Sequence, residues 1–299
     1  MVFQDFDLSD KDVYLDYLRR CIQMPSDSSP YTLCAYSKDQ KLQRAFAYDL
    51  FWFRGEVGGK SVWLPPIGDW DAADWKTAFS EIAPDTNFVF IPELLAYKWK
   101  STFGDAVEVE ATRDDWDYIW YSDQVSTMLG PQYKSYRSSY NRFEKNYPYT
   151  VEELTPAVFD ELRAFHEKCE QELQAKTDKL EDVLEESDAF YFWLNNWDPN
   201  NLFGFIVRVD GHIVGVRIDE IIDENNTVAL YQKQDHSYKG ITEFIYITDS
   251  RLQKEKGFLI VNMMSDAGSV GLRSHKEASN PLVLMKKYHV CYKGEPQHA

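Results

Sequence analysis

The stretch Phe203-Gly-Phe-Ile-Val-Arg-Val209-Asp210-Gly211-His212-Ile-Val-Gly-Val-Arg-Ile-Asp219 reads as two strands joined by a tight turn. Both arms are rich in β-branched and aromatic residues, and Asp-Gly suits a two-residue turn with positive φ. Upstream, Thr155-Pro156 is a capping residue followed by proline at the first helical position. Phe159, Leu162, His166, Cys169 and Leu173 then recur at spacings of three and four, which predicts one helix face. On that face His166 and Cys169 read as packed core residues. A second helix is predicted over residues 180–196. Downstream, Thr227–Gln232 is a third strand, and Ile241–Lys256 a helix closed by Gly257. Phe258–Met263 is a buried strand, and residues 266–278 a loop and short helix ending before Asn280-Pro281. Helix, helix, hairpin, strand, helix, strand is an α+β order in which one helix crosses between neighbouring strands.

The first half carries a fainter version of that order. Helices are predicted over Ser9–Arg20, with Ser9 as cap, Ala72–Ile82 and Pro92–Phe103. Strands are predicted over Tyr31–Tyr36, Arg44–Phe53, Ser61–Leu64, Asn87–Ile91, Ala106–Ala111 and Trp116–Trp120. Asp123–Tyr147 reads as one basic helix, and Pro148 breaks it. Two lobes are therefore expected, 1–148 and 149–299, related by duplication.

A chain of 299 residues, 44% hydrophobic and 15% aromatic, is long and apolar enough to bury a sizeable core. No apolar run approaches the roughly 20 residues of a membrane helix. Met1–Asp10 holds three aspartates and no basic residue, the reverse of a signal peptide. A cytoplasmic protein is expected. Cys21, Cys34, Cys169 and Cys291 form no C-x-x-C pair, and the histidines show no metal-ligand spacing. Neither metal nor resident cofactor is expected.

The net charge of −17 disfavours nucleic acid and anionic lipid as general partners, yet it is uneven. Glu152 to Asp188 holds 13 acidic and 4 basic residues. Lys134, Arg137, Arg142 and Lys145 oppose only Glu144, and Arg273, Lys276, Lys286, Lys287 and Lys293 oppose only Glu277.

Two segments suit chemistry. In Lys233-Gln-Asp235-His-Ser-Tyr-Lys239-Gly240-Ile241 a strand end feeds a helix N-terminus through glycine, a place for a phosphate or developing oxyanion. In Asn262-Met-Met-Ser-Asp266-Ala-Gly268-Ser-Val-Gly271-Leu-Arg273-Ser-His-Lys276 two glycines and an aspartate follow a buried strand. Arg273 and Lys276, three apart, share a helix face and would hold an anionic donor or steady an oxyanion.

That segment, continued to Ser279, Pro281 and Lys287-Tyr288, resembles bacterial proteins related to the C-terminal domain of phosphatidylglycerol lysyltransferases. Lys134-x-x-Arg137-x-x-x-Asn141, the hairpin Val209–Gly215, Glu220 at its end, Lys233-x-Asp235 and Lys239-Gly240 fit the same family. Ser138 departs from it, standing where asparagine is common. The resemblance implies two tandem GNAT-like lobes, each a mixed, mainly antiparallel sheet flanked by helices. It also implies transfer of an aminoacyl group from aminoacyl-tRNA to a hydroxyl or amine of a small molecule or lipid headgroup. The membrane flippase domain of the full lysyltransferases is not expected. Within that reading Glu220, Lys233 and Asp235 are candidate catalytic residues. Arg273, Lys276, Asn262, Asp266, Tyr288, Lys239 and Gly240 would bind substrate. Lys134, Arg137 and Asn141 form a second basic patch, and the tRNA acceptor end is an expected partner. A CoA-dependent N-acyltransferase is the alternative, weakened because Gly240 stands without a second glycine. A non-catalytic ligand-binding protein on the same fold is the third reading.

Overall fold

The computed structural model describes residues 1–175 and 180–294. It divides into two compact units. The first comprises Met1–Asp117, Met264–Ser269 and the chain from Leu284 on; the second comprises Tyr118–Met263 and Val270–Val283.

The first unit is built on a sheet of β1 (Gln4–Asp5), β2 (Gln43–Ala47), β3 (Leu50–Val57), β4 (Lys60–Trp63), β5 (Thr86–Pro92), β6 (Val107–Ala111) and β14 (Lys287–Tyr292). Its order is β1-β2-β3-β4-β5-β14-β6, so the last strand of the chain sits between β5 and β6 and pairs antiparallel with both. Helices α1 (Lys11–Leu18), α2 (Pro30–Tyr36), α3 (Trp75–Phe79) and α4 (Glu93–Phe103) belong to it. Its core is aromatic: the Trp99 ring lies 5.0 Å from Phe79 and 4.9 Å from Phe88, each in an edge-on geometry.

The second unit carries β7 (Asp117–Tyr121), α5 (Ser122–Thr127), α6 (Lys134–Asn146), β8 (Tyr149–Glu153), α7 (Phe159–Gln174) and α8 (Leu180–Asn195). They are followed by β9 (Leu202–Val209), β10 (His212–Ile221), β11 (Asn226–Gln234), α9 (Ile241–Lys256), β12 (Ile260–Asn262), α10 (Val270–Ala278) and β13 (Val283–Met285), a strand of which only Val283 falls within this unit. Its sheet runs β13-β7-β12-β11-β10-β9-β8. The β11–β12 pair is parallel, and the pairs β8–β9, β9–β10, β10–β11 and β7–β12 are antiparallel. Both sheets are thus mixed, mainly antiparallel and helix-flanked, as expected. From β8 to α10 the order is strand, two helices, hairpin, strand, crossover helix, strand and helix, as expected for the second lobe. The Asp210-Gly211 turn takes φ of 50° and 82°, the two positive values the dipeptide favours. Among the described residues no helix is long and apolar enough to cross a membrane.

Several expectations are corrected. Tyr31–Tyr36 is helical: Ser29 caps it by accepting from the Thr32 amide, and Pro30 fills the first turn. Its first six residues are all buried, and a short apolar run with no polar face carries no period to separate strand from helix. Arg44–Phe53 is two strands, because Tyr48 and Asp49 take φ of 58° and 57° and reverse the chain. The basic helix is also two, parted around Met128 and Gly130, both with positive φ. The boundary expected at 148/149 lies inside the second unit, since Pro148 only ends α6.

Candidate functional site

In the second unit β11 and β12 pair only at Asn226–Ile260, Thr227–Val261 and Val228–Asn262. β11 runs on to Gln234, while the backbone N–H of Met263 turns to the Tyr118 carbonyl at 2.8 Å. From Leu230 onward the β12-side edge of β11 therefore has no ladder partner among the described residues, and the two strands part. The end of β11 borders a cavity of about 310 Å³ whose lining includes Cys169, Gln232, Lys233, Gln234 and His236. Just beyond, Gly240 starts α9 with φ of 91°. A Cβ there would meet the Ser139 carbonyl of α6 at 2.1 Å, so only glycine permits this approach.

α10 of the same unit carries a histidine held by aromatic neighbours. His275 of α10 lies between two phenol rings, 5.6 Å from Tyr136 and 5.0 Å from Tyr246. The Tyr136 hydroxyl donates to the His275 carbonyl at 3.0 Å and lies 3.3 Å from His275 Nε2. With that single phenolic proton committed, Nε2–H is the donor to Tyr136 and Nδ1 keeps its lone pair. Burial lowers the imidazole below its ordinary value, and Lys276 and His236 add to that while Glu243 opposes it. The ring is therefore neutral at pH 7, with the Nδ1 lone pair unprotonated. His236 also approaches Gln234 Nε2 at 3.5 Å, which ties β11 to this cluster.

Behind the opening lies a buried charge group. Arg217 of β10 is 1% exposed, gives Nη2 to Asp219 at 2.7 Å and meets Asp249 of α9 at 3.3 Å. Burial pushes the Asp249 carboxyl up to about 8, with Arg217 drawing it down and Asp219 pushing it up. Arg217 also donates to Gln232 Oε1 at 3.3 Å and to the Met263 sulfur at 3.2 Å.

The sequence-predicted residues divide. Lys233 lines the cavity and pairs with Glu186 at 2.5 Å. Asp235 pairs with Lys168 at 2.9 Å; burial works to raise its carboxyl, but hydrogen bonds from Ser237 and Lys168 prevail and hold it low. Glu220 is 1% exposed inside β10, in register with Leu202 and Val228. Asn262 is the buried last residue of β12. Lys239 is exposed, and its backbone N–H donates to the Tyr147 hydroxyl at 3.2 Å. Arg273 is half-buried. Lys276 does not share an exposed face with it: at 6% exposure its ammonium donates to the Met263 carbonyl at 2.6 Å and lies over the Tyr118 ring. Lys134 and Asn141 are exposed on α6, whereas Arg137 is committed to the Met128 and Gly130 carbonyls.

Asp266 and Tyr288 belong to the first unit. Asp266 is fully buried, pairs with Arg113 at 3.1 Å and accepts from the Gly268 amide at 3.0 Å. Tyr288 donates to Glu93 at 3.1 Å, and burial raises its phenol, with Tyr97 and Glu93 adding to the shift. The adjoining Lys287 is sealed against Asp27 and Asp117. Burial works to lower the Lys287 ammonium, but the two carboxylates raise it to about 12.

Sequence reasoning missed His275, Tyr136, Glu243 and Arg217. His275 stands directly before Lys276 in the motif, and a search for metal spacing passes over a lone histidine. A second cavity of about 460 Å³ is lined by Tyr140, Tyr149, Phe205, Phe244 and Arg251, where Arg251 is bound to the Tyr140 hydroxyl at 2.7 Å. It lacks the end of β11 that the first cavity has.

Comparison with known proteins places the chain. A conserved protein of unknown function from Bacteroides thetaiotaomicron VPI-5482 superposes with a TM-score of 0.88 at 22% identity, covering 97% of this chain and 99% of that one. L-PGS from Bacillus licheniformis gives 0.58 at 19%, over 90% and 93%. FemX gives 0.63 at 10%, over 97% of each. At these identities the likeness is one of fold. No protein of curated function matches the sequence significantly. The family model for the phosphatidylglycerol lysyltransferase C-terminal domain matches residues 19–291, and the chain belongs to that family.

Proposed function

We propose that the second unit transfers an aminoacyl group from the 3′ end of aminoacyl-tRNA to a hydroxyl or amine on a small molecule or lipid headgroup. The observation that carries this reading is His275 of α10, oriented by Tyr136, in the unit whose strands β11 and β12 part beside a cavity. The family name and the fold shared with L-PGS and FemX support the reaction class.

In the reaction the acceptor oxygen or nitrogen attacks the ester carbonyl carbon. His275 Nδ1 takes the acceptor proton as the new bond forms. The tetrahedral intermediate collapses, the bond to the ribose oxygen breaks, and the same proton passes to that oxygen. Aminoacylated acceptor and uncharged tRNA result. Lys233 and Gln234 line the cavity that takes the aminoacyl portion. Exposed Lys134 and Arg142 on α6, with the neutral Asn141 beside Arg142, offer a local basic contact for the acceptor stem on a chain of net charge −17.

The test is a transfer assay. tRNA charged with radiolabelled amino acids is offered with phosphatidylglycerol vesicles and a panel of amines, beside parallel reactions with acetyl-CoA. Label should leave tRNA for an acceptor only with the protein present, and about 100-fold more slowly with His275→Gln. Turnover of acetyl-CoA with no turnover of any charged tRNA would overturn the reading.

A further inference from the structure

We propose that the side-chain amide of Gln234 is the donor that holds the carbonyl oxygen of the transferred acyl group, and that Arg217 sets its direction through Gln232. The assignment rests on the transferase reading above.

It follows from donor and acceptor counting. A guanidinium has donors only, so the Gln232 atom facing Arg217 Nη1 at 3.3 Å must be its carbonyl oxygen. The two residues are directly opposite in the β10–β11 ladder, which leaves Gln232 little choice of neighbour. With its oxygen spent there, the Gln232 NH₂ group faces Gln234, whose oxygen it reaches at 3.1 Å. Gln234 in turn must aim its own NH₂ group forward. Its nearest partners are the Thr242 hydroxyl at 3.4 Å and His236 Nε2 at 3.5 Å, at the outer limit of hydrogen bonding. Gln234, one of the residues that line the cavity at the end of β11, thus carries two weakly held N–H donors.

The anchor makes the polarity permanent. Arg217 is buried and tied to Asp219 through both Nε and Nη2, so it cannot rotate away. Reversing both amides would set the Gln232 NH₂ against the guanidinium, donor to donor. The relay of arginine, glutamine, glutamine is therefore preorganised before substrate arrives. That is what stabilises a carbonyl oxygen as it gains negative charge under attack. Gln234 is then a catalytic residue, while Gln232 and Arg217 act through it as positioning residues.

Two probes separate this role from a merely structural one. The first is a 3′-aminoacylamino-3′-deoxyadenosine, whose carbonyl is planar and uncharged. The second is the matching phosphonate, whose tetrahedral oxygens carry charge. Wild-type protein should bind the phosphonate more tightly. Gln234→Glu should weaken the phosphonate by about 100-fold and the planar amide by no more than about threefold. Gln234→Asn keeps a shorter amide and should recover part of the loss. Gln232→Glu still accepts from Arg217 but has no N–H to orient Gln234, and should give an intermediate, phosphonate-selective loss. Thermal melts confirm that each variant is folded. Equal loss of both probes in Gln234→Glu, or no loss, overturns the assignment alone. A wild-type protein that binds neither probe overturns the transferase reading, and this assignment with it.

Discussion

Lys276 belongs to the most recognisable motif of the sequence, yet its ammonium is buried and bound to the Met263 carbonyl. Spacing of three correctly relates it to Arg273, but spacing says nothing of which way the shared face turns. Lys276→Ala should destabilise the protein by about 2–4 kcal/mol, because the Met263 carbonyl loses a charged donor while still buried. Arg273→Ala, at a half-buried position, should cost no more than about 1 kcal/mol. Urea unfolding of the two variants measures the difference, and equal costs would show that Lys276 is not the structural pin described here. Other single-residue signals were read correctly, because Asp210-Gly211 and Gly257 act through their own φ angles and need no distant partner. His275 was not legible in that way: its neutrality comes from burial, to which Lys276 and His236 add and which Glu243 opposes, and its ring is met by Tyr136 from another helix.

At the scale of elements, α9 was read with both its ends, and the two glycines that bound it differ physically. Gly240 and Gly257 share a φ of 91°, but an added Cβ would strike the Ser139 carbonyl at 2.1 Å at the first and meet nothing within 4 Å at the second. Gly257→Ala should therefore cost about 1 kcal/mol, the strain of positive φ alone. Gly240→Ala should cost about 2–4 kcal/mol, since α6 must also move. Comparable melting temperatures for the two variants would contradict the close packing of α6 on the start of α9. Elements without such punctuation were misread. The six buried residues that open α2 have no polar face to reveal a helical period, and Tyr48-Asp49 turns a chain whose apolar run continues on both sides.

For the whole molecule, the exchange of strands was beyond local reading. β7 joins the second sheet and β14 the first, each through pairings across more than a hundred residues. The second lobe was legible because its hairpin and crossover are local. Buried charge gives the molecule a particular pH response. The Asp249 carboxyl, raised to about 8 against 3.8 when unfolded, makes the folded state bind the extra proton between those values. Its stabilising contribution is complete below about 4, falls as pH rises towards 8 and is level above that. His166, lowered by burial to about 4 from 6.5, has the opposite slope, since stability falls as pH drops through that window. The two partly cancel in the wild type. Comparing wild type with Asp249→Asn removes the common His166 part. The stability of the variant relative to wild type should rise steadily from pH 4 to pH 8 and then level off, as read from chemical unfolding at each pH. A constant difference would show that Asp249 is ionised throughout.

The central claim is that chemistry takes place where β11 and β12 part. A crystal structure of the protein with a 3′-aminoacylamino-3′-deoxyadenosine tests it most directly. The amide carbonyl is expected beside the Gln234 side chain, its carbon within reach of the lone-pair side of His275 and its aminoacyl portion in the cavity lined by Lys233 and Cys169. Binding of the analogue instead in the cavity formed by Tyr149, Phe244 and Arg251, with the β11–β12 opening empty, would contradict the account.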